Sequence, residues 1–343
     1  MEFLRSNTTN LIIVSTSLAL IILRRWFNGP KTKQSHDGVK NKYIVITGAS
    51  DGIGKETALT LLRDGAHVIF ACRDEKKTMN VINSIFNDSE KRRADFLHLN
   101  LASFESVKNF VENYSKKYSK LDILINNAGA IFSNFTESSD GIEKTLHTNT
   151  LGPIILTQSL LPLINKSGGR VINVSSKAYQ RCLFPADYYT SIKSGSADAL
   201  KNKYSFMDVY GMSKLGNIYY TQYLNDYCKK NNFDKVKTAS LHPGVIGTEL
   251  FRDMKSKIFK AILYLLFPLF IFMSKNVKMG AQTTLHLCYL KDEDFLSGEF
   301  YSDCAPLKLM KHGLDETRRR NFIQMCEILI NTHGKKSDIS LEL

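Results

Sequence analysis

Tyr43-Ile-Val-Ile-Thr-Gly-Ala-Ser-Asp-Gly-Ile-Gly54 is a short apolar run that breaks into a glycine-rich turn. A run of that length, closed by glycine, reads as a buried parallel strand. The helix-forming residues 55–64 follow and stop at Gly65, a suitable C-cap. Glycines in such a turn let the backbone approach a pyrophosphate, and the helix start offers free N–H groups and partial positive charge. Gly48, Ser50, Asp51, Gly52, Ile53 and Gly54 are therefore candidate dinucleotide-binding residues. The spacing Gly-x-x-x-Gly-x-Gly differs from the Gly-x-Gly-x-x-Gly fingerprint, but its place between a first strand and a first helix carries the same chemistry.

The rest of the chain repeats the alternation. Strands are expected at Val68–Cys72, Phe96–Leu99, Leu121–Ile125, 170–174 and Val236–Leu241. Helices are expected at 103–118, where Val107, Phe110, Val111 and Tyr114 form an i, i+3, i+4, i+7 stripe, at 153–164, and around Tyr210. Alternating strands and helices imply one α/β domain, a doubly wound parallel sheet with right-handed crossovers, over residues 42–335. Two segments break the pattern. Residues 177–208 form a long polar and aromatic insertion, of a length that is usually functional or disordered. Residues 258–273 are strongly apolar but hold Lys260 and Pro268. Within 250–275 they suit a lid over an apolar substrate or an interfacial helix, against the plainer reading of an ordinary buried helix.

Leu11–Leu23 is uncharged and rich in Leu and Ile, and Arg24-Arg25-Trp26-Phe27 follows. At about 1.5 Å per residue this run alone is shorter than a ~30 Å hydrocarbon core. The uncharged residues from Ser6 and snorkelling arginines supply the remainder. A cleaved signal peptide is the alternative, disfavoured by a single early base, Arg5, and by the lack of a small-x-small cleavage site. Residues 1–27 are thus expected to be an N-terminal membrane anchor. Basic residues on its C-terminal side place the main domain in the cytosol. Residues 28–41, polar and broken by Gly and Pro, read as a linker.

The net charge of +13 is scattered, with seven Lys/Arg against two Asp/Glu in residues 1–42. A membrane surface or a phosphorylated cofactor accounts for it more simply than nucleic acid, for which there is no motif or basic stripe. Six widely spaced cysteines and no His cluster argue against a zinc site or a disulfide framework. No metal is expected.

Tyr210-Gly-Met-Ser-Lys214 puts a phenol and an ammonium one helical turn apart. An ammonium beside a phenol favours the phenolate, so the tyrosine pKa is expected to fall from its usual ~10. Upstream, Arg170-Val-Ile-Asn-Val-Ser-Ser176 ends a strand with a serine pair that could fix a substrate oxygen.

Together these pieces resemble the short-chain dehydrogenase/reductase family, most closely its membrane-anchored, retinol dehydrogenase-like members. The resemblance rests on Thr47–Gly54, Ala71-Cys-Arg-Asp74, Asn126-Asn-Ala-Gly129, Asn149 in Thr-Asn-Thr-Leu-Gly, Ser175–Ser176, Tyr210–Lys214 and His242-Pro-Gly-Val-Ile-Gly-Thr-Glu249, in the family's order over residues 41–305. It implies a Rossmann-type fold and an oxidoreductase that interconverts an alcohol and its aldehyde or ketone. Tyr210 would be the general acid/base, and Lys214 would lower its pKa and hold the nicotinamide ribose. Ser176 would be the catalytic serine, with Ser175 as the alternative, and Asn149 would support a water linking Lys214 to solvent. Asn127, Ala128 and Gly129 would lie near the adenine ribose, and Pro243, Gly244, Val245 and Thr248 near the nicotinamide end. The family's Asp-Leu after the third strand is Asn100-Leu101 here, and an asparagine carbonyl can still accept from the adenine amine.

Cofactor choice turns on the end of the second strand, where an acid accepts the ribose 2′-OH of NAD(H) and a base pairs with the 2′-phosphate of NADP(H). Cys72 stands in the acid's place and Arg73 follows, so NADP(H) is preferred, with NAD(H) the alternative. The substrate is expected to be a small apolar alcohol or carbonyl such as a retinoid, steroid or other lipid. The expected home is the endoplasmic reticulum membrane, and a homodimer is compatible with the resemblance. A non-catalytic cofactor-binding scaffold is the competing reading, since fold alone never establishes function. The complete set Asn149, Ser176, Tyr210 and Lys214 argues against it.

Overall fold

The structure, a computed structural model, describes residues 15, 17–18, 22–25, 27–85, 87–181, 196–246, 272 and 274–334. Its centre is an eight-stranded sheet in the order β3-β2-β1-β4-β5-β6-β7-β8. The strands are β1 (Tyr43–Thr47), β2 (His67–Cys72), β3 (Ala94–His98), β4 (Ile123–Asn126), β5 (Arg170–Val174), β6 (Lys237–His242), β7 (Phe300–Ser302) and β8 (Ala305–Pro306). Every pairing is parallel except β7 with β8.

Among the described residues, seven longer helices accompany them: α1 (Gly52–Arg63), α2 (Glu75–Asn83), α3 (Phe104–Lys117), α4 (Gly152–Lys166), α5 (Phe206–Lys230), α6 (Gln282–Tyr289) and α7 (Glu316–His333). The pleat sends alternate strand residues to opposite faces. Val45, Ile69, Leu124 and Val171 join one apolar cluster with Phe104 and Val107 of α3, Leu160 of α4, Leu215 of α5 and Phe322 of α7. Ile44, Ile46, Val68, Phe70 and Ile172 join the other, with Leu61 of α1, Ile82 of α2 and Leu285 of α6. A sheet buried on both faces is what the near-continuous apolar strand runs require.

Each strand named from the sequence is present, with ends shifted by up to two residues. The sequence reading passed over α2, α6, α7, β7 and β8. The strand order reverses beside β1, whose neighbours are β2 and β4, and that reversal opens the crevice in which such sheets bind ligands.

The stretch expected as a linker, 28–41, touches the domain at several points. Thr32 N donates to Gln282 Oε1 at 3.1 Å, His36 stacks on Tyr289 at 4.7 Å, and Val39 is fully buried. Two of its polar side chains, Thr32 and His36, hydrogen-bond His286 of α6 and Asp64, while most of the stretch stays exposed.

Of the 177–208 insertion, Lys177–Arg181 is a 3-10 turn with Tyr179 fully buried, Ala197–Lys201 is helical, and α5 begins at Phe206 behind a Ser205/Asp208 capping box. Residues 182–195 lie outside the described residues, as do most of the expected anchor and all of 247–271. Among the described residues no helix is long and apolar enough to cross a membrane.

Candidate active site

At the crevice lies a cleft of about 910 Å³ whose wall includes Gly48, Ser50–Gly54, Arg73, Asn100, Leu101, Asn127–Gly129, Ser176, Tyr210, Lys214 and Pro243–Val245. Every expected cofactor residue is thus brought together except Thr248, which lies outside the described residues. Asn149 stands just behind the wall.

The glycine turn is shaped by close approach. A Cβ on Gly54 would sit 2.4 Å from Asn127 Nδ2 and 2.5 Å from the Gly48 carbonyl oxygen, so only glycine lets α1 start this close to the ends of β1 and β4. Asn127 holds that junction, donating from Nδ2 to the Thr47 carbonyl at 2.9 Å, while the Thr47 hydroxyl accepts from Ala128 N at 2.9 Å. Asp51 caps α1, its Oδ1 accepting from Gly52 N at 2.7 Å. A glycine-lined helix start facing the cleft fits the pyrophosphate of a dinucleotide. The cleft volume lies in the range of small-molecule and cofactor sites.

The two serines at the end of β5 divide their work. Ser175 is buried and donates from Oγ to the Lys214 carbonyl at 2.6 Å, which ties the strand to α5. Ser176 is half-buried and hydrogen-bonds the Tyr210 phenol.

The expected drop in the tyrosine pKa is corrected by the structure. Tyr210 is 7% exposed, and burial raises its pKa above the ordinary phenol value, with the Ser176 hydroxyl pulling the other way. Desolvation of the phenolate outweighs the hydrogen bond. Lys214 is buried too and is itself pushed down to about 8, by burial alone. Its Nζ lies 5.8 Å from the centre of the Tyr210 ring and donates to the Val174 carbonyl at 3.0 Å. A Cβ on Gly129 would fall 2.9 Å from that Nζ, so glycine leaves the ammonium its space.

Asn149 spends its side chain on structure. Its Oδ1 accepts from Ala130 N at 2.8 Å, and its Nδ2 donates to the Ala130 carbonyl at 2.9 Å and to Ser213 Oγ at 3.0 Å. This fastens the residues after β4 to α5, inside a π-helical turn, His147–Leu151, of the kind often found at functional sites. Asn100 Oδ1 accepts from Ala102 N at 3.2 Å, so part of the acceptor capacity expected for adenine is taken by its own turn.

The structure adds residues that the sequence reading missed. Lys77 of α2 lines the cleft beside Arg73 and pairs with Asp51 across its rim. The signal was present in the Arg73-x-x-x-Lys77 spacing, but α2 itself went unread. His242 also lines the cleft, and its Nδ1 accepts from Lys177 N at 3.2 Å. Together the arrangement can hold a dinucleotide along the cleft and exchange a proton with an oxygen placed near Tyr210.

Comparisons with known proteins agree with that chemistry. The family model described as short chain dehydrogenase matches residues 42–201. Retinol dehydrogenase 12 of Homo sapiens is 34% identical over 309 residues, covering 90% of this chain and 92% of that protein. Retinol dehydrogenase 14 of Mus musculus is 30% identical over 328 residues, covering 91% and 94%. Among solved structures, an uncharacterized protein from Mycobacterium paratuberculosis superimposes with a TM-score of 0.66 at 25% identity, over 89% of this chain and 96% of that one. With relatives this similar along nearly its whole length, the chain belongs to the short-chain dehydrogenase/reductase family and is an oxidoreductase of the retinol dehydrogenase-like kind.

Proposed function

We propose that the enzyme interconverts an apolar alcohol and its aldehyde or ketone, with NADP(H) as the preferred partner and a retinoid, steroid or other lipid carbonyl as substrate. A bound nicotinamide supplies or accepts the hydride. The chain's own residues do the rest. Ser176 holds the substrate oxygen, and Tyr210 gives or takes its proton. Lys214, the only ammonium within one turn of Tyr210 on α5, keeps positive charge beside the phenol as it ionises. Gly129 and Asn149 keep the space and the framework in which Lys214 sits.

The observation that carries the reading is the convergence of Ser176, Tyr210 and Lys214 on the same cleft that the glycine turn lines. Support for NADP(H) comes from two bases, Arg73 and Lys77, on the rim where the second strand ends, with no acid in the place of Cys72. Support for an apolar substrate comes from Ile131, Phe132, Ile246 and Val277 in the cleft wall and from the retinol named in the relatives.

The same reading places the catalytic domain in the cytosol on the endoplasmic reticulum membrane, held by residues 1–27. Exposed Leu18, Ile22 and Leu23, followed by Arg24 and Arg25, favour an apolar surroundings for that segment. Resistance of the full chain to carbonate extraction from membranes, lost when residues 1–27 are deleted, is the expected result. The chemistry is tested with purified protein, NADPH and a panel of apolar aldehydes, following nicotinamide absorbance. Turnover in wild type and its loss in Tyr210→Phe are expected; unchanged turnover in Tyr210→Phe sinks the assignment.

A further inference from the structure

The β5–β6 ladder runs in register from Arg170 beside Lys237 to Val174 beside Leu241. One more backbone bond continues it, Ser175 N donating to the Leu241 carbonyl at 2.7 Å. There β6 ends, because Pro243 follows and the chain turns away. The next inward N–H on the other strand is that of Lys177, and a side chain meets it: His242 Nδ1 accepts it at 3.2 Å. Ser176 is therefore bracketed, its predecessor fixed by the Leu241 backbone and its successor by the His242 ring. The turn beyond closes on the same serine, with Ala178 N donating to Ser176 Oγ at 3.2 Å and Tyr179 N to the Ser176 carbonyl at 3.2 Å.

We propose that His242 is a positioning residue for the reaction, holding the Ser176 turn so that its hydroxyl faces Tyr210. This rests on the reading of Ser176 as the group that fixes the substrate oxygen. To accept at Nδ1, the ring must be neutral with its proton on Nε2. Its surroundings keep it neutral: His242 is 5% exposed, and burial with the nearby Lys177 and Lys275 holds its pKa at about 3, against a smaller opposing effect of Asp303. A ring that stays neutral across the working range is a fixed acceptor. Displacement of a reacting group by about 1 Å can lower a rate on the order of a hundredfold, which is the scale of effect that one misplaced turn would have.

Two variants at this position separate positioning from packing. His242→Leu keeps apolar bulk and removes the acceptor. His242→Asn places an amide oxygen at the same branch point and can accept the Lys177 N–H. Three readouts are taken on the full chain with NADPH bound: exchange of the Lys177 amide, the Cζ resonance of ¹³C-labelled Tyr210, and kcat for an apolar aldehyde.

In His242→Leu the Lys177 amide is expected to exchange faster and the Tyr210 resonance to shift. The kcat is expected to fall by about tenfold to a hundredfold with little change in NADPH affinity. In His242→Asn all three are expected to return toward wild type. The proposal is overturned if His242→Leu leaves the Tyr210 resonance in place, if it retains kcat where wild type turns over, or if His242→Asn protects the Lys177 amide without restoring Tyr210. Should wild type turn over no aldehyde, the catalytic reading fails, and the amide and Tyr210 signals still decide whether His242 orders the turn.

Discussion

Lys214 donates from Nζ to the carbonyl oxygen of Val174 at 3.0 Å. That carbonyl also accepts from Asn217 Nδ2 at 3.3 Å, so the buried ammonium shares a neutral acceptor and has no carboxylate partner among the described residues. Burial of a charge without a counter-charge opposes folding. Lys214→Met is therefore expected to leave the fold as stable or more stable, by about 1–3 kcal/mol at neutral pH. The same change is expected to cut turnover on the order of a hundredfold or more, because the positive charge beside the ionising phenol is gone. The sign with pH follows. With a folded value of about 8 against an unfolded value near 10.5, the unfolded chain holds the extra proton between them, so stability from this group rises with pH across that window. Chemical denaturation at pH 7 and pH 9.5 with a turnover assay checks both halves; a variant that is clearly less stable at pH 7 contradicts the argument.

The serine pair separates into two roles that mutation can tell apart. Ser175→Ala removes the bond from Oγ to the Lys214 carbonyl and is expected to cost about 1–2 kcal/mol of stability. Ser176→Ala removes the hydroxyl beside Tyr210 and is expected to lower kcat by about a hundredfold, with a stability cost of about 1 kcal/mol or less from the lost Ala178 N–H bond. Urea unfolding and steady-state kinetics on the two variants provide the check, and an exchange of the two phenotypes would reverse the assignment.

Much of this is legible in the sequence. Apolar runs such as Tyr43–Thr47 fix a buried parallel strand because few other structures bury every side chain, and Gly48, Gly52 and Gly54 mark the turn by what they lack. Tyr210 and Lys214 were legible from helical spacing. The choice between Ser175 and Ser176 was not, since it depends on which hydroxyl the Lys214 carbonyl takes across 39 positions. Nor was the direction of the Tyr210 shift: spacing shows that a lysine is near, but not that both groups are out of water. Lys77 carried only the weak signal of its spacing from Arg73, for a different reason. Its partner Asp51 lies 26 positions away, on a different helix end, and α2 is too polar to announce itself. The docked course of residues 28–41 likewise depends on partners in α6, some 250 positions on.

The rim pair Lys77–Asp51 gives cofactor choice a handle. Lys77 and Asp51 are about half exposed, so solvent screens them and single substitutions act modestly. Lys77→Gln is expected to weaken NADP(H) by about threefold to tenfold and NAD(H) by less than about twofold, because only the former carries a 2′-phosphate. Asp51→Asn keeps an oxygen that can cap Gly52 N and removes the negative charge, and it is expected to strengthen NADP(H) relative to NAD(H). Titration of coenzyme fluorescence at two salt concentrations measures the ratio. Equal losses for both coenzymes in Lys77→Gln would place Lys77 outside the 2′-phosphate's reach.

Acid is expected to loosen the domain through two histidines with separate surroundings. His147 is fully buried, bonded at Nδ1 to Ser138 Oγ at 2.8 Å, and burial with nearby His333 pushes it down to about 3; His242 is held at about 3 as well. Each folded value lies below the unfolded 6.5, so in that interval the unfolded chain binds protons that the folded chain refuses. Stability is therefore lost as pH falls from 6.5 and levels off below about 3, each ring contributing on the order of 3 kcal/mol between pH 7 and pH 4. His147→Gln offers an uncharged amide to Ser138 and cannot take up the proton. Urea unfolding of wild type and His147→Gln at both pH values is expected to show the variant losing about 3 kcal/mol less on acidification, whatever its stability at pH 7. Parallel losses in the two proteins would mean that the His147 ring is reached by protons without opening the fold.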